Sequence, residues 1–135
     1  MSAPQEVKSD RKYTKDHEWA KQEGADWLIG ITAFAVEQLG DITLVSLDVK
    51  PGDKVQAHKA FGTIESVKTL SDLYAPFSGT VAKINDALEN TPELVNDDCW
   101  GQGWMIAITP DDADAKHDDL LDVAAYQKHV EESAH

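Results

Sequence analysis

The sequence predicts a mainly β protein, an antiparallel sandwich or barrel of short strands with small helices at its edges. Short apolar runs recur along the chain, separated by turns such as Pro51-Gly52-Asp53 and Pro76-Phe77-Ser78-Gly79. Apolar residues alternate within the runs, as at Trp27, Ile29 and Ile31, which is typical of half-buried strands. Each of the two proline-glycine turns precedes a predicted strand, a pattern that fits two similar halves of a degenerate repeat.

The same patterns locate the individual elements. We predict strands within residues 13–24, 27–31, 42–49, 60–66, 70–75, 80–85 and 104–108, and a further strand beginning at residue 55. Thr32 as N-cap and Gly40 as C-cap bound a short helix. A second short helix begins with Thr91 as N-cap and Pro92 at the first helical position. Residues 120–130 form a C-terminal helix with one apolar stripe.

Length and end composition predict the domain organisation. The chain has 135 residues, which suits one compact domain spanning residues 13–135 and including the C-terminal helix. Residues 1–12 are polar and charged, and we expect a flexible N-terminus there. No stretch approaches the roughly 18 apolar residues of a membrane span, and the first residues lack the pattern of a secretory signal. We therefore expect a monomer in the bacterial cytoplasm, with no membrane partner.

The charge balance argues against a nucleic-acid partner. The net charge is −13, from 25 acidic and 12 basic residues, and Arg11 is the only arginine. Phosphate recognition needs clustered Lys and Arg, which this composition does not supply. The acidity serves solubility, or docking to basic partners.

The sequence contains no recognisable active site. Its five histidines are not paired at metal-ligand spacing, and no glycine-rich phosphate loop occurs. Cys99 is the only cysteine, so we expect a small buried residue and neither a disulfide nor a cysteine-rich metal site. We therefore predict a protein that is not an enzyme and has no metal centre.

One lysine stands out by its position. Strand-like runs flank Lys68 on both sides, which places it at the tip of a β-hairpin. A lysine on a rigid exposed turn suits the attachment of a long prosthetic arm, whose chemistry then belongs to the cofactor. Taken alone, however, a lysine at a hairpin tip is usually a solvated charge. The spacing of residues around Lys68 does not decide between an attachment site and a solvated charge.

A family resemblance favours the attachment site. Glu65-Ser66-Val67-Lys68 and the following Ser71-Asp72-Leu73-Tyr74-Ala75-Pro76 resemble the lipoylation segment of the glycine cleavage system H protein family. The resemblance continues, in order, from residue 13 to the C-terminal helix. It includes Tyr13-Thr14-Lys15-Asp16-His17-Glu18-Trp19, Gly30-Ile31-Thr32, Leu39-Gly40-Asp41, Asn85-Asp86-Ala87-Leu88, Pro92-Glu93-Leu94-Val95-Asn96 and Gly103-Trp104-Met105-Ile106.

This resemblance implies a fold, a cofactor and partners. The fold is the barrel-sandwich hybrid of lipoyl and biotinyl domains, and the cofactor is lipoic acid in amide linkage to Lys68. A lipoate ligase or a lipoyl or octanoyl transferase attaches it, reading Glu65, Ser66 and Val67 around the lysine. The arm then carries the aminomethyl group of glycine between glycine decarboxylase, an aminomethyltransferase and dihydrolipoyl dehydrogenase, and the carrier itself catalyses none of these steps.

The resemblance also implies a resting groove for the loaded arm. An aminomethyl thioether carries an amine that carboxylates hold by charge-assisted hydrogen bonds. Glu18 and Asp72 are the candidates for this role, and the opposing interpretation is that both are ordinary surface acids.

The chain departs from the family pattern at three positions. The turn Asp48-Val49-Lys50-Pro51-Gly52 is about one residue longer than usual, Ala35-Val36 stands where the first helix commonly reads Ala-Gln, and Ala33 occupies a position where a polar residue is common. None of them touches the attachment segment, but partner enzymes read such surfaces. An alternative function is therefore an H-like lipoate-binding protein that carries sulfur intermediates for a heterodisulfide-reductase-like sulfur oxidation pathway.

Overall fold

A computed structural model describes residues 10–112 and 120–133 as nine strands and four helices. The strands are β1 (Lys12–Tyr13), β2 (Glu18–Glu23), β3 (Asp26–Ile31), β4 (Ile42–Leu47), β5 (Lys54–Val55), β6 (Ala60–Ser66), β7 (Leu70–Tyr74), β8 (Gly79–Ile84) and β9 (Ile106–Pro110). The helices are α1 (Ala33–Leu39), α2 (Ala87–Asn90), α3 (Leu94–Asp97) and α4 (Val123–Ser133).

The strands form two antiparallel sheets, which confirms the predicted mainly β fold. One sheet has six strands in the order β1-β2-β3-β9-β8-β5, and the other has three in the order β4-β6-β7. Apolar side chains from both sheets meet in one core that includes Ile29, Ile64, Leu73 and Ile108. The core joins the small sheet to the large one, so the β6–β7 hairpin is held on a rigid support.

Helix α1 has the ends that the sequence predicts. The Thr32 side chain accepts a hydrogen bond from Ala35 N at 3.2 Å, and this satisfies one of the free donors of the first turn. Gly40 follows the last helical residue with φ of +79°, a conformation that glycine adopts without steric cost. Phe34 and Leu39 are buried, so the helix packs one face against the sheets.

The predicted start of the second short helix is wrong. Thr91 does not cap a helix that follows it but ends α2, because its N–H donates to Ala87 O at 2.8 Å. Helix α3 begins only at Leu94, after a turn in which Leu94 N donates to Thr91 O. Helix α2, a single turn with one buried side chain, Leu88, is not among the elements that the sequence predicts.

The C-terminal helix begins three residues later than predicted. Leu121 is in extended conformation and exchanges two backbone hydrogen bonds with Tyr13, at 2.8 and 2.7 Å. The Asp122 side chain then accepts from Ala125 N at 2.8 Å, and α4 begins at Val123. The helix covers a second cluster of buried aromatic residues, formed by Tyr13, Trp19 and Tyr126.

The predicted flexible terminus, residues 1–12, lies mostly outside the described residues. At its end Arg11 is buried, with its guanidinium over the Trp19 ring at 4.6 Å, and Lys12 begins β1. Among the described residues, no helix is long and apolar enough to cross a membrane.

Candidate functional site

Lys68 lies on the turn between β6 and β7, as the sequence predicts. The last ladder pair of the hairpin is Glu65 with Leu70. The Ser66 hydroxyl accepts from Lys68 N at 3.1 Å and from Thr69 N at 3.2 Å, and Ser66 N donates to Thr69 O at 2.8 Å. This serine is buried while Lys68 is exposed, so the lysine is accessible to solvent on a backbone that Ser66 fixes.

A second set of bonds ties this turn to the segment between α1 and β4. Val67 N donates to Asp41 O at 3.0 Å. On either side of Asp41, the Asn96 side chain holds the chain: its amide nitrogen donates to Gly40 O at 3.0 Å and its oxygen accepts from Ile42 N at 2.8 Å. The lysine turn is therefore positioned through Asp41 by a residue of α3 that is distant in sequence.

The lysine stem passes close to Gly40. A Cβ atom built at Gly40 would lie 3.4 Å from Lys68 Cε and 3.6 Å from Val67 Cγ2, which are ordinary van der Waals distances. Glycine is favoured here by its positive φ, a backbone conformation that other residues rarely adopt. The residue also ends α1, which forms one wall of two neighbouring grooves.

The first groove, here named the Glu18 groove, contains both predicted carboxylates. It has a volume of about 340 Å³ and lies between α1, β7 and the start of β2. Its walls are largely apolar and include Ile31, Phe34, Leu39, Ile64 and Leu73, with Asp16, His17, Glu18 and Asp72 among the polar residues. The structure thus brings Glu18 and Asp72 to one cavity, although they are far apart in sequence.

Glu18 is a buried carboxyl group that joins the two sheets. It is 2% exposed, its Oε2 accepts from Tyr74 N at 2.8 Å, and its Oε1 accepts from the Thr14 hydroxyl at 3.2 Å. Burial raises the pKa of Glu18 to about 8, and the neighbouring Asp16 carboxylate adds to this effect. At neutral pH Glu18 is therefore mostly protonated and uncharged.

Asp72 lies at the rim and differs from Glu18 in its environment. Its side chain is exposed, and its Oδ2 accepts from the Tyr74 hydroxyl at 3.4 Å. Asp72 alternates with the buried Leu73 along β7 and belongs to the outer row of that strand. The two candidate acids are thus a neutral buried group and a solvated anion, and the interpretation of both as ordinary surface acids does not describe Glu18.

His17 is a groove residue that the sequence analysis did not single out. Its Nδ1 lies 2.8 Å from the Tyr126 hydroxyl oxygen, and its ring stacks on His129 with 5.2 Å between centroids. Burial, together with the nearby His129, lowers the pKa of His17 to about 4. The partners lie on α4, so no local pattern around His17 predicts this arrangement.

A second groove lies on another face of α1. This Cys99 groove has a volume of about 570 Å³ and is lined by Ala33, Val36, Glu37, Gly40, Asp41, Asn96, Asp97, Asp98, Cys99 and Trp100. Cys99 is buried, as the sequence predicts. Across the described ranges, no group of three or more His, Cys, Asp or Glu side chains is arranged to hold a metal ion.

The structure keeps Glu65, Ser66, Val67 and Lys68 together on one hairpin and reveals two supporting residues that sequence reasoning missed. Asp41 and Asn96 occur within segments that resemble the family, but the bonds that connect them to the lysine turn join residues distant in sequence and leave no local pattern. The one local pattern near these bonds is the glycine of Leu39-Gly40-Asp41, since a glycine after a helix often has positive φ and marks the point where the chain turns.

Comparison with known proteins identifies relatives over nearly the whole chain. The family model "Glycine cleavage H-protein" matches residues 11–133. Among curated relatives, the glycine cleavage system H protein of Anaeromyxobacter sp. (strain K) is 46% identical over 128 residues, 94% of this chain and 98% of that protein. The glycine cleavage system H protein of Bacteroides thetaiotaomicron is 48% identical over 127 residues, which make up 94% of this chain and 96% of that protein.

A solved structure supports the same relationship. The crystal structure of a glycine cleavage system H protein from Mycobacterium marinum superposes with a TM-score of 0.80 at 34% identity. The match covers 96% of this chain and all of that one.

Proposed function

The chain belongs to the glycine cleavage H-protein family, and on this premise we propose that Lys68 is the residue to which its lipoic acid is attached. The protein is a lipoyl carrier of the H-protein type, with the barrel-sandwich hybrid fold of lipoyl domains. The single observation that supports Lys68 most strongly is its exposed side chain on a turn fixed by Ser66 and Asp41.

Attachment requires only an activated acyl donor and an accessible amine. A lipoate ligase presents lipoyl-adenylate, and a lipoyl or octanoyl transferase presents a thioester or another acyl-lysine. The deprotonated Nζ of Lys68 attacks the acyl carbonyl carbon, the amide C–N bond forms, and the donor's leaving group departs with the bonding electrons. The remaining extra proton on nitrogen passes to solvent, and the lysine loses its charge.

The chain serves the glycine cleavage system as a shuttle and supplies no active site of its own. Its partners are glycine decarboxylase, the aminomethyltransferase and dihydrolipoyl dehydrogenase, as the family name implies. The relatives named above are all glycine cleavage proteins, and no observation favours the alternative role in sulfur oxidation. We extend the proposal to a monomer that works in a bacterial cytoplasm, which size-exclusion chromatography and cell fractionation would test.

The Glu18 groove is the proposed resting place of the aminomethyl-loaded arm. Its apolar walls suit the hydrocarbon of the arm, and its two carboxyl groups suit the terminal ammonium. An entering cation favours the ionised form of Glu18, so the buried proton leaves and an ion pair replaces it. Asp72 at the rim contributes a second negative charge.

The attachment site is tested by mass spectrometry of protein expressed in its native host with ample lipoate. We expect a lipoyl group on Lys68, none in Lys68→Arg, and unchanged acylation in Lys59→Arg, a matched change at another exposed lysine. Loss of glycine-dependent turnover in Lys68→Arg alone would agree with the proposal. An unmodified Lys68 in the native protein, or a functional arginine variant, would refute it.

The groove is tested separately with the double variant Glu18→Gln, Asp72→Asn. Loaded with the aminomethyl group, this variant should release its cargo faster than the wild-type protein, because the ammonium loses both anionic partners. Asp53→Asn is a control at a distant turn. An unchanged lifetime of the loaded form would eliminate the groove proposal and leave the attachment site intact.

A further inference from the structure

The outer face of the small sheet bears an apolar patch beside Lys68. Among the described residues, the exposed large hydrophobic side chains are Leu44, Val67 and Leu70, at 46%, 66% and 63%. All three lie close to the lysine turn, although Leu44 comes from β4. Exposed apolar side chains that gather in one patch with polar residues around them are typical of interaction sites.

Strand register shows that this is one continuous surface. Leu44 pairs with Glu65 across β4 and β6, and Glu65 pairs with Leu70 across β6 and β7. Residues directly opposite each other in an antiparallel ladder point to the same face, so these three form one row. The exposed Val67 follows in the adjoining turn, and we name Leu44, Glu65, Val67 and Leu70 the leucine patch.

The charges of the patch define the chemistry of a partner. Glu65 lies between the two leucines, and Asp72 occupies the next outward position along β7. Within the described part of the chain, neither carboxylate takes part in an ion pair. A complementary surface therefore presents a Lys or Arg side chain flanked by apolar groups.

The position of the patch indicates which partner it fits. An enzyme that acylates Lys68 must bring its active site to Nζ itself, so it has to contact residues directly around the lysine. Client enzymes react with sulfur at the far end of the arm, so their active sites need not come to the lysine turn itself. The leucine patch borders the lysine turn in sequence at Val67 and Leu70 and across the sheet at Leu44.

Building on the proposed attachment of lipoate to Lys68, we propose that the leucine patch is the docking surface for the lipoate-attaching enzyme. In this arrangement Leu44 and Leu70 enter apolar contacts of the enzyme, and Glu65 pairs with a cationic side chain between them. Recognition thus extends beyond the linear segment Glu65-Ser66-Val67 to a residue of β4. The row is rigid before binding, because the ladder already holds its backbone.

The test measures acylation of the unmodified full chain by a purified bacterial lipoate ligase with ATP and lipoate, followed by intact mass. Leu44→Thr and Leu70→Thr keep strand propensity but lose apolar surface, and each should lower kcat/KM by about fivefold or more. Leu44→Met and Leu70→Met keep apolar volume and should stay near the wild-type value. Circular dichroism and thermal unfolding establish that each variant is folded.

The proposed ionic contact of Glu65 is tested with two variants that make the same charge change at different places. Glu65→Gln should lower kcat/KM and weaken its dependence on ionic strength, whereas Glu131→Gln makes the same charge change on the exposed side of α4 and should do neither. These two variants do not alter the core, so they test the proposal even if a leucine variant were unstable.

Several outcomes would overturn the docking proposal. Threonine variants that are acylated as fast as the wild type would refute it, while the carrier function would stand on wild-type acylation at Lys68. Normal acylation with reduced glycine-dependent turnover would assign the patch to a client enzyme instead. A wild-type dimer that Leu44→Thr converts to a monomer would assign it to a second copy. Absence of lipoate on wild-type Lys68 would instead refute the proposed function.

Discussion

At the scale of single residues, Glu18 combines a structural and a functional position. Its carboxyl group bonds Tyr74 N of the small sheet from the first residue of β2 in the large one. A group in this place stabilises the joint between the sheets and at the same time lines the Glu18 groove. The protonation of Glu18 therefore affects stability and, in the proposed resting role of the groove, the binding of the ammonium group.

Glu18 gives a prediction about pH. Its carboxyl ionises near 4.5 in an unfolded chain but near 8 in the folded one, so between these values the folded state binds more protons. The contribution of Glu18 to the free energy of unfolding thus falls as pH rises, by at most about 1.4 kcal/mol per pH unit. Glu18→Gln cannot ionise, and its stability relative to wild type should increase from about pH 5 to about pH 8.

Urea unfolding of both proteins across this pH range measures the difference. Glu131→Gln, an exposed change of the same kind, should show a difference that does not vary with pH. A Glu18→Gln protein whose relative stability stays constant or declines toward alkaline pH would contradict the buried, protonated carboxyl.

At the scale of elements, helix α1 connects the grooves to the C-terminal helix. Its N-cap hydroxyl, on Thr32, lies 2.6 Å from the Tyr126 hydroxyl of α4, which also reaches His17. Burial raises the pKa of Tyr126, so this phenol stays protonated and retains its hydrogen for the network. Helix α4 is thus fastened to the wall of the Glu18 groove by polar bonds.

Replacement of the cap residue should loosen both helices. Thr32→Ala removes the acceptor for Ala35 N and leaves the buried Tyr126 hydroxyl with one partner fewer, at a cost of roughly 2 kcal/mol. Thr32→Ser retains the hydroxyl and should cost clearly less. Chemical denaturation compares the three proteins, and equal losses in both variants would show that the hydroxyl is not the reason.

The Asn96 side chain also connects elements, because its two hydrogen bonds hold the residue after α1 and the first residue of β4. Asn96→Ala leaves Gly40 O and Ile42 N without this partner and should destabilise the protein by roughly 1–3 kcal/mol. Asn96→Asp keeps the acceptor for Ile42 N but sets a carboxylate oxygen against Gly40 O, so a loss of stability in this isosteric variant would come from the missing donor. Hydrogen exchange should show faster opening at Val67 N, whose acceptor is Asp41 O, and unchanged protection there would contradict the coupling.

At the scale of the whole molecule, the charge is the dominant feature. The net charge of −13 produces self-repulsion that the described ion pairs relieve only locally, as between Lys54 and Asp111. The same field favours partners with basic surfaces and raises their rate of encounter. Acidity is therefore a cost to folding and an advantage in binding.

Salt should stabilise the fold for this reason. Raising NaCl from about 10 to about 100 mM shortens the Debye length from about 30 to about 10 Å, so Tm should rise by a few degrees. The double variant Glu131→Lys, Glu132→Lys lowers the net negative charge and should show a smaller rise. A Tm that salt leaves unchanged in both proteins would show that repulsion among the acidic residues does not limit the stability of the fold.

The sequence alone determined the features that depend on neighbours in the chain. Alternation at Trp27, Ile29 and Ile31 revealed β3, the Thr32 and Gly40 caps bounded α1, and the strands around Lys68 placed the lysine at a hairpin tip. These signals are local, because hydrogen bonds within a turn and side-chain periodicity act over a few residues. Resemblance of motifs then supplied the family, which the comparisons confirm.

Tertiary structure decided everything that joins distant segments. The extension of Leu121 beside Tyr13, which delays α4, depends on a partner more than a hundred residues away, and so does the bond of His17 to Tyr126. The row from Leu44 to Leu70 exists only because register aligns three strands. Sequence patterns indicate which residues become buried or lie in turns, but only the folded chain determines which of them are in contact.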